Sequence, residues 1–158
     1  MIKPIEYLDE AEKITRAVDH LIYITFTLVK DKKILIKSLT EIKKAIAYSI
    51  NAILQYEYLI KKITIYKDPE LNFKTFIQKC AKDYELTPEE IKKIQEIFLL
   101  IKNHKQSSME FTRNEKLVII TDWETKTVNI EKIKEFLSLS KKLIQNTRNK
   151  ILEKYKKT

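Results

Sequence analysis

The chain has 158 residues, of which 44% are hydrophobic, with a formal net charge of +9, one cysteine and no glycine. That is enough for a single domain, 1–158, with a sizeable core, and it is too apolar for a disordered chain. Without glycine the chain cannot build a Walker A loop, a dinucleotide fingerprint, a nucleophile elbow or a kinase phosphate loop, because each needs positive φ or a close backbone approach.

Ile5, Leu8, Ala11, Ile14, Val18, Leu21 and Ile22 recur at three- and four-residue spacing, which predicts an amphipathic helix. Over 22–29 the apolar residues Ile22, Ile24, Phe26 and Leu28 also alternate with polar ones, a strand period. No turn signal separates this stretch from the helix, so we read it as helix up to a turn at Asp31-Lys32-Lys33. A second helix follows from about Lys33 to Ile63, with Leu35, Leu39, Ile42, Ile46, Ile50, Ile53 and Ile60 on one stripe. Two long helices joined by a short turn must pack antiparallel, as an αα-hairpin. After the connector at Tyr66-Lys67-Asp68-Pro69-Glu70, Asn72 is placed to cap a third helix ending near Tyr84. Thr87-Pro88-Glu89-Glu90 is a capping box with proline at the first helical position, and it opens a fourth helix ending near His104. Leu117–Thr121 and Thr125–Val128 are β-branched and flank Asp122-Trp123-Glu124, which predicts a small β-hairpin. Asn129 caps the last helix, with Ile133, Phe136, Leu137, Leu143, Ile144 and Ile151 inward. The fold class is mainly α: a bundle of about five helices with a long N-terminal αα-hairpin and a small β-hairpin before the last helix.

Cys80 alone forms no intrachain disulfide and no cysteine-rich zinc site, and its helical neighbours suggest a buried small hydrophobe. With only His20 and His104, no multi-histidine metal site exists, and no cofactor is expected. No signal peptide is visible, and the longest apolar run, 21–29, is far too short to cross a bilayer. A cytoplasmic protein without a membrane partner is the expectation.

The 31 basic residues are 28 Lys and three Arg. Lysine and isoleucine in such numbers fit an AT-rich genome or a thermophile, which discounts the charge as a sign of nucleic acid. Its distribution says more. Residues 141–158 hold seven basic residues and one acid, a net +6. Lys141, Lys142, Arg148, Lys150 and Lys154 are candidate phosphate contacts on that helix, with Arg113 and Trp123 as additions. The alternative is a solvated helix face with lysines at its C-terminal end. A second candidate is polar. Arg16, Asp19, His20 and Tyr23 share one face of the first helix, and Asn51, Gln55 and Tyr58 form a line on the second. Together they would make a polar pocket, or simply a structural network.

The segment Ala17-Val18-Asp19-His20-Leu21-Ile22-Tyr23-Ile24-Thr25-Phe26-Thr27-Leu28-Val29-Lys30-Asp31, with Lys33-Ile34-Leu35 after it, and then Asn51-Ala52-Ile53-Leu54-Gln55-Tyr56-Glu57-Tyr58 and Leu71-Asn72-Phe73-Lys74-Thr75-Phe76, resembles a small all-helical archaeal family of unassigned function. The order of helices and hairpin also resembles the HEPN superfamily of RNA-associated helical domains. Ribonucleases of that superfamily use an Arg followed by a His four to six positions on. Here neither Arg113-Asn114 nor Arg148-Asn149 is followed by a His, and Arg16 and His20, with only three residues between them, sit at the wrong end of the chain, so the resemblance implies binding or scaffolding rather than hydrolysis. Three readings follow. The first is a non-catalytic module that binds nucleic acid, RNA above all, through the basic C-terminal helix. The second is a protein–protein interaction or homodimerisation module using surplus apolar surface in 22–29. The third is an unrecognised enzyme centred on Arg16, Asp19, His20 and Tyr23.

Overall fold

The first helix, α1, spans Pro4–His20 and carries on through a π-helical turn, Leu21–Thr25, and one last α-turn, Phe26–Leu28. The computed structural model describes residues 3–156, with side chains through Glu153. The strand-like alternation is therefore helical over 22–28, with Val29 extended, and the π-turn explains why it looked otherwise. Its wider spacing sends Ile22 and Phe26 inward and leaves Tyr23, Ile24 and Leu28 exposed. Asp31 caps α2, Lys32–Leu59, by accepting a hydrogen bond from the Lys33 amide at 3.0 Å. The two helices run antiparallel, as expected, with Tyr7 near the start of α1 against Tyr48 on α2, ring centroids 5.9 Å apart.

α3 spans Pro69–Thr75, then a π-turn, Phe76–Cys80, and a 3₁₀ turn, Ala81–Tyr84. Its cap is Asp68 rather than Asn72. Asp68 accepts from the Glu70 amide, while the Asn72 side chain clamps the connector, accepting from the Tyr66 amide and donating to its carbonyl. The passage from the wider π-turn to the tighter 3₁₀ turn brings Phe76, Cys80, Ala81 and Tyr84 all into the core. α4, Pro88–Lys105, begins with the reciprocal Thr87–Glu90 capping box.

The expected hairpin is present as β2 (Lys116–Ile120) and β3 (Thr125–Val128), and a further strand, β1 (Met109–Arg113), precedes it. The result is a three-stranded antiparallel sheet in the order β1-β2-β3, with Leu117 opposite Val128. Leu117, Ile119 and Val128 face the core, which is the period-two pattern of a half-buried sheet. α5, Ile130–Lys156, starts at Asn129, whose side chain accepts from the Lys132 amide at 2.8 Å. Its stripe of Ile133, Phe136, Leu137, Leu143, Ile144 and Ile151 is buried.

With no glycine available, four of the described residues take the left-handed conformation: Lys61, Glu85, Asn114 and Glu115. Lys61 and Glu85 end helical segments in the same way. The Lys61 and Lys62 amides donate to Tyr58 and Glu57 carbonyls, and the Glu85 and Leu86 amides donate to Lys82 and Ala81 carbonyls, a Schellman closure in both places. Asn114 and Glu115 make the two-residue turn between β1 and β2. Among the described residues, no helix is long and apolar enough to cross a membrane.

Candidate functional site

The described basic residues assigned to α5 do not stand free. Lys141 Nζ lies 2.7 Å from Asp19 Oδ1, and Lys142 Nζ is 2.9 Å from both oxygens of Glu90. The Arg148 guanidinium donates to Glu12 at 2.8 Å and to Asp9 at 3.1 Å. Lys150 donates to the Asp83 carbonyl at 2.6 Å, and its ammonium stands 4.6 Å from the centre of the Tyr84 ring. These contacts dock α5 on α1, on the cap of α4 and on the end of α3. Burial alone would raise the Glu90 carboxyl, but hydrogen bonds from Lys142 and Thr87 outweigh it and hold the group below the usual carboxylate range. Lys154 carries the fifth charge assigned to this face, and its side chain lies outside the described residues. Arg113 and Trp123 are exposed but stand at opposite ends of β2, Arg113 closing β1 opposite Lys116 and Trp123 in the turn that leaves β2. The Trp123 indole donates to Glu124 Oε2 at 3.1 Å.

The two polar lines do not converge into a pocket. Arg16 pairs with Glu12 at 2.8 Å, Asp19 with Lys141, and Tyr23 lies under the Lys134 ammonium at 5.0 Å. His20 Nδ1 sits 3.5 Å from the Thr25 hydroxyl, a five-residue spacing made by the π-turn. Because Tyr48 lies beside Tyr7, Asn51, Gln55 and Tyr58 run on past the start of α1, away from Arg16–Tyr23. Both lines face outward.

Two clusters escaped the sequence reading. Under α5 the Tyr84 hydroxyl donates to the buried Glu57 Oε1 at 2.9 Å, next to Cys80. Burial, reinforced by the charge of Glu57, raises the Tyr84 phenol and pushes the Cys80 thiol up to about 11. Both groups are held neutral, so neither is an activated nucleophile. A concavity of about 550 Å³ opens above them, lined by Asp83, Glu85, Asn146, Asn149, Lys150 and Glu153. In the second cluster Glu110 Oε1 lies 2.6 Å from His104 Nδ1 and accepts from the Ser107 hydroxyl at 2.5 Å. The serine is tied to the carboxylate rather than to the imidazole, so the three form a clamp between α4 and β1 and not a nucleophile–base relay. A histidine six residues before a glutamate gave no sequence signal, since the chain reverses between them. Among the described residues, no three metal-ligating side chains converge.

One feature of the surface is apolar. Leu28 is 79% exposed, Val29 56%, Ile24 51% and Tyr23 48%, and they adjoin at the end of α1. Scattered apolar residues on a surface are ordinary, but contiguous ones mark contact surfaces. No family model matches the chain, and searches of curated proteins and of solved structures find none similar to it.

Proposed function

We propose that this chain is a non-catalytic interaction module that pairs with a second copy of itself through the apolar end of α1. The observation that carries this reading is the contiguous exposure of Tyr23, Ile24, Leu28 and Val29. Interfaces centre on such side chains, with a polar rim around them. The flanks suit a two-fold pairing, because they carry both signs of charge. Lys30 pairs with Glu115 at 2.7 Å, and Lys134 lies 3.8 Å from Glu131. An isologous contact can therefore match cations to carboxylates without net repulsion. Sedimentation velocity over a concentration series tests the reading. Wild type shifts from monomer to dimer, and the Ile24→Glu/Leu28→Glu variant stays monomeric with an unchanged melting temperature. A wild type that is monomeric throughout would overturn it.

Nucleic-acid binding through the terminal helix is the second reading, favoured by the exposed Arg113 and Trp123 and by the +6 of residues 141–158. A phosphate arriving at Lys141, Lys142 or Arg148 would have to replace a carboxylate already in place, which lowers the gain from each contact. The HEPN resemblance, with no His after Arg113-Asn114 or Arg148-Asn149, supports a role without catalysis in either case.

A further inference from the structure

Three of the lysines that the fold leaves without carboxylates stand in a row on α2. Lys33, Lys37 and Lys44 are exposed and follow one outward line, at four- and seven-residue steps. Among the described residues none of the three lies within ion-pair distance of a carboxylate. Glu41 is the sole acid against Lys32, Lys33, Lys37, Lys43 and Lys44 in the stretch 32–50. The same outward line continues through Asn51, which is exposed, Gln55, half-buried, and Tyr58, exposed. Charge therefore occupies one half of the line, and amides with a phenol occupy the other.

Beside Asn51 a niche of about 370 Å³ opens between α2, α3 and α4, with Ile50, Leu54, Phe73 and Phe98 among its walls. The Phe73 and Phe98 rings are half-buried, with centroids 5.2 Å apart. The Lys43 ammonium stands 5.7 Å from the centre of the Phe98 ring, at the junction of the niche with the lysine line.

We propose that this face of α2 binds single-stranded nucleic acid. Lys33, Lys37 and Lys44 take successive phosphates along the helix. The niche takes an unstacked base against its phenylalanines, with Asn51 hydrogen-bonding the base edge. Cations in a row fit any acidic polymer, but cations leading into an aromatic niche with an amide at its rim fit a strand whose bases are free to leave the stack. A duplex offers phosphates without that base. Lys33 follows Val29 by only four residues, but the line runs along α2 away from the apolar end of α1, so the inference does not depend on self-association.

The test is fluorescence anisotropy with a labelled single-stranded RNA of mixed sequence, its duplex form and polyglutamate, each across a salt series. Wild type is expected to bind the single strand more tightly than the duplex. Replacing Lys33, Lys37 and Lys44 together by Gln should weaken binding at least tenfold and lower the log–log salt slope by about 2, three contacts at roughly 0.7 each. Asn51→Ala should cost affinity while leaving that slope unchanged, an outcome expected only if Asn51 meets a base. Circular dichroism of these exposed-site variants checks that the fold is intact. The proposal falls if the triple variant binds like wild type. It falls equally if duplex binds as tightly as single strand, or if polyglutamate binds and RNA does not. Loss of binding in a Lys141→Gln/Lys142→Gln/Lys150→Gln variant, with the α2 variant unaffected, would also overturn it and move the site to α5.

Discussion

α5 and the first half of α2 are both lysine-rich, and the fold treats them in opposite ways. Along α5 every basic side chain assigned a role within the described residues meets a partner: Asp19, Glu90, Glu12 with Asp9, or the Asp83 carbonyl. Along α2, Lys33, Lys37 and Lys44 meet none of these. Among the described residues, the helix with the higher charge in sequence thus holds its assigned cations against partners, while the line on α2 does not. What decides is where the acids of other elements return in space. α1 carries Asp9, Glu12 and Asp19 on the side that α5 covers, and the α4 cap adds Glu90. Lys33, Lys37 and Lys44 are exposed, meet no carboxylate from another element, and keep their charge.

Removing the acids should break this contrast most visibly. An Asp9→Asn/Glu12→Gln/Asp19→Asn variant should lose about 2 kcal/mol of stability in urea unfolding, at up to roughly 1 kcal/mol per surface pair. It should also gain retention on a heparin column, because α5 would then resemble α2. If stability and retention both stay put, the ion pairs do not set the difference. A smaller effect should come from pH. The folded state holds the Glu90 carboxyl low, so the unfolded chain binds more protons in acid. The Lys142–Glu90 contribution is then complete above the ordinary glutamate pKa of about 4.3 and is lost as pH falls through the lowered folded value. Urea midpoints across that window should slope less steeply in Glu90→Gln than in wild type. The smallest effect is expected on α2, where the Lys33→Gln/Lys37→Gln/Lys44→Gln variant should unfold within about 0.5 kcal/mol of wild type. A larger loss would mean that those lysines support the fold after all.

The elements were legible where the signal is local. Thr87-Pro88-Glu89-Glu90 reads as a helix start and forms one, and the three- and four-residue stripes of α1, α2, α4 and α5 mark their buried faces. β1 was hidden because its turn uses Asn114-Glu115 where a hairpin would ordinarily advertise Asn-Gly. The third helix started four residues early because Asp68, directly before Pro69, outcompetes Asn72 as a cap. The candidate surfaces were less legible. The partners of Lys141 and Arg148 lie 122 and 136–139 residues away, so no local pattern could show that the terminal charge is already paired. The Arg16–Tyr23 line was read correctly as one face of a helix. Which way it faces depends on how α2 and α5 cover α1, a tertiary fact.

The left-handed Lys61, Glu85, Asn114 and Glu115 have a consequence for the chain before it folds. Each carries a Cβ in a region where that atom is crowded, a local strain of about 1 kcal/mol or somewhat more, least for Asn114. Against those four positions stands a sequence in which every residue bears a side chain, so the denatured ensemble has fewer backbone states at every step than a chain with ordinary glycine content. Ordering such a chain surrenders less conformational entropy, and that advantage grows in proportion to temperature while the strain at four turns stays nearly fixed. The composition therefore favours the folded state most where heat would otherwise undo it.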